Sequence, residues 1–177
     1  MANKDVKYKV KEYFFLNPTI RLRVRQIERK LKVSLPSVIR YTKELEKEGV
    51  LKTTDIAGVR TYSADRVSKT YLTEKKLFNI HQIIASGLLD FITAELSNPL
   101  VVVFGSYREG EDVEKSDIDI YIQTPSKKLI DLDRFKKKLQ REIQLFIYRD
   151  IREVENKELA NNIINGVRIN GFLEVFR

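Results

Sequence analysis

The chain of 177 residues contains no cysteine, a single histidine and no long apolar run. Without cysteine it forms neither a disulfide framework nor a thiolate metal site, which fits a reducing compartment. No apolar stretch approaches the roughly 18 residues that a membrane span needs. The first residues, MANKDVKYKVKEYF, also lack the apolar core of a signal peptide. These absences predict a cytoplasmic protein with no membrane partner.

Charge is distributed unevenly along the chain. Residues 1–66 contain 16 Lys and Arg against 8 Asp and Glu, whereas residues 67–177 contain 17 of each kind. The formal net charge of +8 therefore belongs entirely to the first segment. Such asymmetry predicts that one module binds a polyanion such as nucleic acid. The alternative is a lysine-rich solvated surface like those of many heat-stable proteins.

Helical patterns occupy the N-terminal third. An apolar stripe predicts a helix over Val6–Leu16, and a second short helix follows, marked by Val24, Ile27 and Leu31. The third helix is predicted over Leu35–Glu48, with Ser34 as N-cap, Pro36 in its first turn and Gly49 directly after its end.

A hairpin pattern comes next. Its predicted strands are Leu51–Thr54 and Arg60–Ser63, with Ala57-Gly58 at the turn. Helices followed by such a hairpin, with the segment RVRQIERKLKVSLPSVIRYTKELEKEGVLK, resemble the winged helix-turn-helix domain of prokaryotic regulators over residues 1–66. The resemblance implies DNA binding, and because such domains often bind twofold sites, a homodimer is also expected.

In a winged helix the third helix enters the major groove. The residues expected to contact DNA are Ser37, Arg40, Tyr41, Lys43, Lys52 and Arg60. Arg40 suits bidentate reading of guanine, whereas the lysines and Arg60 suit phosphate contacts. Glu44, Glu46 and Glu48 would repel phosphate if they faced it. The alternatives are therefore a set of solvated helix charges, or an element that docks or dimerises with protein.

Residues 67–98 are too apolar for a free linker and predict a linking helix, or two, that packs on the C-terminal domain. Ser86-Gly87 interrupts the pattern. The only histidine, His81, lies in this segment, and neither i+3 nor i+4 carries a second metal-type ligand. It is therefore assigned no catalytic role.

The residues that carry chemistry follow. Leu100–Phe104, LVVVF, is predicted as a buried strand. Gly105 permits a sharp turn, and Ser106 starts a helix whose free N–H groups suit a phosphate. Asp117 and Asp119 are two positions apart, so on a strand their carboxylates share one face. Together these residues predict a site for a Mg²⁺-bound triphosphate. The alternative is a turn in which the acids pair with a lysine such as Lys115.

The segment VVVFGSYREGEDVEKSDIDIYI resembles the signature of the DNA polymerase beta nucleotidyltransferase superfamily in its minimal form. The resemblance covers residues 99–177 and implies a small mixed sheet flanked by helices, which gives the whole chain an α+β fold. It also implies a nucleoside triphosphate ligand bound through Gly105 and Ser106. Mg²⁺ at Asp117 and Asp119, of the two-metal type in an active enzyme, is implied as well. Minimal members often act as antitoxins, which implies a protein acceptor or toxin partner.

Fully active members of that superfamily place a third carboxylate on the adjacent strand. Here that strand is predicted over Ile143–Tyr148, after a helix from Leu132 to Gln140. The matching position holds Gln144, an amide that cannot act as a base. Glu142 has the same side-chain parity and replaces it if the register is shifted.

The remaining segment predicts a helix over Lys157–Ile164, a turn at Asn165-Gly166 and a closing strand near Leu173–Phe176. Asn161 and Asn162 are ranked as exposed helix positions or caps rather than site contacts. The run Lys136-Lys137-Lys138 is interpreted as a solvated helix face.

Two functional hypotheses follow. The first is a DNA-tethered nucleotidyltransferase that binds a Mg²⁺ nucleotide and transfers a nucleotidyl group to an unidentified acceptor. The second is a transcription regulator whose C-terminal domain is a catalytically degenerate nucleotide sensor or dimerisation platform. Gln144 favours the second hypothesis, whereas the Gly105-Ser106 and Asp117/Asp119 set favours the first.

Overall fold

The structure is a computed structural model that describes residues 2–175, with side chains described for residues 6–175. The chain divides into two compact units, Met1–Lys75 and Lys76–Arg177. Helix α4 (Lys69–Ser86) contains the boundary between them.

The first unit consists of helices followed by a hairpin. Its elements are α1 (Ala2–Leu16), α2 (Val24–Leu31), α3 (Leu35–Lys47), β1 (Leu51–Ile56) and β2 (Val59–Ala64). The hairpin strands pair antiparallel, and the turn residues Ala57 and Gly58 have φ values of 51° and 74°. Two successive residues with positive φ give the type of turn that matches strand twist in a two-residue hairpin. The observed strands extend the predicted ones to the turn.

Each helix and strand contributes at least one apolar residue to the interior of this unit. The fully buried side chains include Val10, Phe14, Ile27, Val38, Leu45 and Leu51. Along α3 the buried residues fall at Val38, Tyr41, Thr42 and Leu45, the spacing of one helix face. Gly49 follows the helix with φ 74°, as expected of the residue that ends a helix.

The second unit is built on a mixed sheet. Besides the rest of α4, its elements are α5 (Leu88–Glu95), β3 (Leu100–Phe104), α6 (Gly105–Glu109), β4 (Ile118–Gln123), α7 (Asp133–Leu139), β5 (Ile143–Tyr148), α8 (Lys157–Ile164) and β6 (Val167–Asn170). Within the described residues the strand order is β5-β4-β3-β6. Strand β3 pairs antiparallel with β4 and β6, and β4 pairs parallel with β5. This mixed α+β arrangement is consistent with the fold that the sequence predicts.

Side chains along the strands alternate between the two faces of the sheet, and each face packs in its own apolar core. Ile118, Ile120 and Ile122 pack in a core with side chains from α4, α5 and α7. Tyr121 packs on the other face of the sheet with Phe104 and with Ile163 of α8. The carboxyl end of β3 and the start of β4 are therefore held from both sides, and the candidate site lies at this end of the sheet.

The last strand differs from its prediction. It spans Val167–Asn170 instead of Leu173–Phe176, and residues 171–175 form no regular element. The part of the predicted strand at Phe176 lies outside the described residues. The strand starts early because Gly166 turns directly onto β3, where a Cβ on Gly166 would meet Val102 Cγ1 and the carbonyl oxygen of Val103. Gly171, with φ 74°, follows its end.

The apolar segment after residue 66 forms α4 and α5, with Gly87 between them at φ 82°. No single helix of the described chain is long and apolar enough to cross a membrane, although the bent pair α4 and α5 meets that requirement jointly.

Candidate functional site

The site begins where β3 ends. Every residue of β3 is buried, and the chain passes from Phe104 directly into the five-residue helix α6. Gly105 makes this possible because its φ is +72°, a conformation that residues with a Cβ rarely adopt. Gly110, with φ 77°, ends the helix. Ser106 therefore lies in the first turn of a helix that starts at the carboxyl end of β3, as the sequence predicts.

Asp119 lies against Gly105. The register pairs Phe104 with Asp119, which brings the aspartate beside the start of α6. A Cβ on Gly105 would collide with Asp119 Oδ2 and would stand 3.3 Å from Asp119 Cγ. The carboxylate thus occupies the space that any other residue at position 105 would fill. The two parts of the predicted motif, fourteen residues apart in the chain, meet in the fold.

Asp117 and Asp119 have the same parity as Tyr121, opposite to the buried isoleucines of β4. Asp119 is half-buried, whereas Asp117 lies one residue before β4 and is exposed. The strand is therefore one residue shorter at this end than the motif predicts. Burial, and secondly the nearby charge of Asp117, raise the pKa of Asp119 above its ordinary value. A cation between the two groups would relieve both effects.

The strand register shows which residue occupies the position predicted for a third acid. Strand β5 pairs with β4 so that Gln144 is opposite Asp119. Both residues lie on the sheet face that carries Tyr121 and Phe146, so Gln144 is the neighbour of the aspartate. Glu142 instead pairs with Lys136, whose Nζ lies 2.9 Å from Glu142 Oε2. Among the described residues no group of three or more His, Asp and Glu side chains is arranged to hold a metal ion.

The DNA-contact residues predicted from the sequence all belong to the first unit. On α3, Arg40 and Lys43 are exposed and Ser37 is half-buried, its hydroxyl accepting from Ser34 Oγ at 2.8 Å. On the hairpin, Lys52 and Arg60 are both exposed. The register pairs Lys52 with Ser63 and Arg60 with Asp55, which places the two cations on opposite faces of the hairpin.

The prediction that Tyr41 contacts DNA requires its side chain to face outward from α3, but the structure places it on the buried face. Its side chain is only 4% exposed, because it falls on the buried face of α3 together with Val38 and Leu45. Arg40 covers it, with the guanidinium carbon 5.3 Å from the ring centroid. The orientation expected of Tyr41 is therefore corrected, whereas that of Arg40 and Lys43 agrees with the structure.

The glutamates of α3 contact side chains of their own unit. Glu44 accepts from Arg40 Nε at 2.9 Å, and Lys7 Nζ lies 2.6 Å from Glu48 Oε1. Glu46 accepts from the hydroxyl of Thr53 at 2.6 Å. The charge of Arg40 is thus partly neutralised by Glu44 of the same helix.

Of the residues to which the sequence assigns no site role, some are exposed and others form side-chain contacts. His81, Asn161 and Asn162 are exposed helix positions. In the lysine run of α7, Lys138 donates to the carbonyl of Ser86 at 2.9 Å and Lys136 pairs with Glu142, so this face is not simply solvated.

A buried polar network near this end of the sheet is not predicted by any pattern in the sequence. It includes Asn79, Asp112 and Arg141, and Asp112 is 1% exposed. Asp112 lies in the spacer between Gly105 and Asp117, next to another acid, Glu111. No local pattern distinguishes the buried acid from its exposed neighbour, and its partners are distant in sequence.

Comparison with protein families gives one finding. Residues 86–169 match the family model described as Nucleotidyltransferase domain. The matched region contains Gly105, Ser106, Asp117, Asp119 and Gln144, and it lies within the second unit. The searches of curated proteins and of solved structures each found no match. Over these residues the second unit is thus similar to nucleotidyltransferase domains.

The close approach at Gly105 predicts the effect of adding one methyl group. Gly105→Ala is expected to destabilise the protein by about 2 kcal/mol more than Gly87→Ala, as judged by urea denaturation. Gly87 is the matched control because its φ is +82° and nothing lies within 4 Å of its Cβ position. Both variants share the cost of a positive φ, and only Gly105→Ala must displace a carboxylate. Equal losses would contradict the described contact.

Because the pKa of Asp119 is raised, removing its charge is expected to increase the stability of the folded protein by an amount that depends on pH. The folded state binds this proton more tightly than the unfolded state, so stability decreases as pH rises through the ordinary Asp range to the raised pKa. In metal-free solution, Asp119→Asn should therefore be more stable than the parent at neutral pH, with the gain vanishing in acid. Thermal unfolding across that range measures it. A gain that persists unchanged in acid, or a loss at neutral pH, would contradict this assignment.

Proposed function

We propose that the second unit binds a Mg²⁺-bound nucleoside triphosphate and transfers a nucleotidyl group to an acceptor. The observation that carries this proposal is the contact between the Asp119 carboxylate and the backbone of Gly105. That contact holds Asp119, which we propose binds the cation together with Asp117, at the start of α6. The match of residues 86–169 to the nucleotidyltransferase domain supports the same assignment.

The donor set fits magnesium. Mg²⁺ prefers hard oxygen ligands and is usually bound in proteins by one or two carboxylates, with water and substrate phosphates completing its coordination. Asp117 and Asp119 supply the carboxylates, and the side-chain oxygen of Gln144 lies on the same face. When bound, the metal neutralises charge on the phosphates and polarises the reacting phosphoryl group.

The phosphates are assigned to the start of α6. The first N–H groups of a helix have no acceptor within the helix, and at the Gly105-Ser106 turn they are not covered by a Cβ at position 105. In nucleotidyl transfer, an acceptor oxygen forms a bond to the α-phosphorus while the bond to the β-phosphate oxygen breaks and pyrophosphate leaves. The acceptor hydroxyl must lose its proton in this step.

Gln144 supports the alternative function, a catalytically degenerate nucleotide sensor or dimerisation platform in a regulator. The side-chain amide occupies the register position beside Asp119 and cannot take a proton. Glu142 is engaged by Lys136. Under this alternative the Mg²⁺ nucleotide still binds, and no nucleotidyl group is transferred.

We further propose that the first unit is a winged helix that tethers the protein to DNA. Support comes from the order of α1 to β2, from the excess positive charge of residues 1–66, and from exposed Arg40 and Lys43 on α3. A helix with exposed cations can enter a major groove, and cations on the hairpin can contact phosphates.

The nucleotide proposal is tested by calorimetric titration of ATP, and then the other triphosphates, with Mg²⁺ into the parent protein. We expect binding by the parent and its loss in Asp117→Asn/Asp119→Asn. The control Asp90→Asn changes an exposed acid on α5, outside the proposed site, and should bind like the parent. Absence of binding by the parent, or undiminished binding by the double variant, would overturn the proposal.

Restoring a carboxylate at the third position should strengthen the cation site. Gln144→Glu is expected to tighten Mg²⁺ binding in the presence of ATP by about tenfold, since added ligand charge raises affinity. The matched control is Gln123→Glu, which adds the same charge on the same sheet face at the other end of β4. Calorimetry compares the two. If both variants gain equally, the register position of Gln144 is not part of the site.

Two substitutions test DNA binding by the first unit, one at a predicted base contact and one at a predicted phosphate contact. Arg40→Ala should weaken binding to a selected sequence by about tenfold and relax specificity, because a base contact is lost. Lys52→Ala should weaken binding to all sequences alike, with a smaller dependence on salt. Fluorescence anisotropy on selected and random duplexes measures both. Parent-like binding by both variants would contradict this part of the proposal.

A further inference from the structure

The positive charge of the first unit is concentrated before its third helix. Residues 21–32 contain six cations and one acid, a net charge of +5 out of the +8 of residues 1–66. Residues 35–48, which include α3, contain three cations and three glutamates and are electrically neutral. The helix assigned to base contacts is therefore not the part of the unit that attracts a polyanion most strongly.

The six cations of residues 21–32 are all exposed. They are Arg21, Arg23, Arg25, Arg29, Lys30 and Lys32, and together they are called the basic surface below. Within residues 6–175, none of the six forms an ion pair with an acid. Arg40 of α3, by contrast, is paired with Glu44. The charge of the basic surface is thus available to a partner of opposite sign.

The start of the basic surface is tied to the hairpin. The N–H of Leu22 donates to the carbonyl of Tyr62 in β2 at 2.9 Å, and the N–H of Tyr62 donates to the carbonyl of Leu22 at 2.8 Å. Leu22 is buried, whereas Arg21 and Arg23 on either side of it are exposed, which is the alternation of a strand. The backbone that carries these two arginines is therefore held by the hairpin.

Helix α2 continues the surface. The side-chain oxygen of Gln26 accepts from the N–H of Arg23 at 2.8 Å, which fixes the entry of the chain into the helix. Ile27 is fully buried, whereas Arg25 and Arg29, one helical turn apart, lie on the exposed side. The helix is about 12 Å long, a distance over which one strand of B-DNA presents about three phosphates.

The chemistry of the basic surface favours nucleic-acid phosphates. Four of its six cations are arginines, whose planar guanidinium groups bind a phosphate through two hydrogen bonds. A basic amphipathic helix can also bind an anionic membrane, but it must then insert its apolar face into the lipid. In α2 that face is buried within the unit at Ile27. The side left to a partner is polar and cationic, which suits phosphates presented at regular intervals along a duplex.

We propose that the basic surface, rather than α3, supplies most of the affinity of the first unit for nucleic acid. It binds the phosphate backbone of a duplex without regard to sequence, and α3 adds selectivity through Arg40 but little affinity. The inference rests on the proposed DNA binding for the kind of partner, and it adds the site at which that partner is held.

The experiment measures binding of the full chain to a random DNA duplex by fluorescence anisotropy over a range of salt concentrations. Arg25→Ala/Arg29→Ala should weaken binding roughly sixtyfold at about 0.1 M salt, since each lost phosphate contact removes about 0.9 from the slope of log affinity against log salt. The slope itself should fall by about 2.

Two further variants carry the same change of charge. Arg40→Ala/Lys43→Ala on α3 should weaken binding to the random duplex by no more than about tenfold, the effect of one phosphate contact. Lys127→Ala/Lys157→Ala, at exposed positions of the second unit, controls for the change of net charge and should bind like the parent.

A conservative variant separates the role of charge from that of structure. Arg25→Lys/Arg29→Lys keeps both cations, so it should keep the salt slope of the parent and lose much less affinity than the alanine variant. A slope lowered as much by lysine as by alanine would mean that the substitutions act through the structure of α2, and the proposal would be overturned.

The outcomes separate this inference from the proposal that α3 reads bases. If Arg25→Ala/Arg29→Ala binds like the second-unit control, the inference is overturned, even where selectivity still depends on Arg40. If that variant loses affinity while Arg40→Ala leaves selectivity unchanged, the inference stands and the base contact fails. A parent that binds no duplex overturns both, and binding of polyglutamate in its place would identify an acidic protein as the partner.

Discussion

The second unit depends on one close approach, that of the Asp119 carboxylate to the backbone of Gly105. It requires a glycine for two independent reasons, since φ is +72° and the space for a Cβ is occupied. The same contact joins the end of β3, the start of α6 and the beginning of β4. The two acids therefore cost stability in the free protein, because Asp119 is half-buried with another acid nearby. Under the proposed function, binding of the Mg²⁺ nucleotide offsets that cost.

Much of this arrangement could be predicted from sequence because its determinants are local. The strands Leu100–Phe104 and Ile143–Tyr148 have the predicted bounds, since continuous apolar β-branched runs give few alternatives. The pairing of Gln144 with Asp119 depends instead on the register between two strands, which the sequence left open between positions 142 and 144. Asp112 and Arg141 are far apart in the chain, so their contact has no local signal.

The errors have equally specific causes. The outward orientation expected of Tyr41 is wrong, because its spacing from Val38 and Leu45 places it on the buried face of α3. The closing strand is predicted at the apolar residues near Leu173, whereas the close packing of Gly166 on β3 starts it at Val167. In both cases packing against a neighbouring element decided the outcome. The charge asymmetry, in contrast, is a property of composition alone, and its assignment to DNA binding is a proposal about the first unit.

The central claim, a cation site formed by Asp117 and Asp119 beside Gly105, is tested most directly by anomalous diffraction. Crystals of the full chain would be grown with Mn²⁺, which also takes oxygen ligands, and a non-hydrolysable triphosphate. The account predicts an anomalous peak within coordination distance of both carboxylates, with phosphate density at the start of α6. A fully occupied peak elsewhere, or triphosphate bound without a metal at these aspartates, would contradict it.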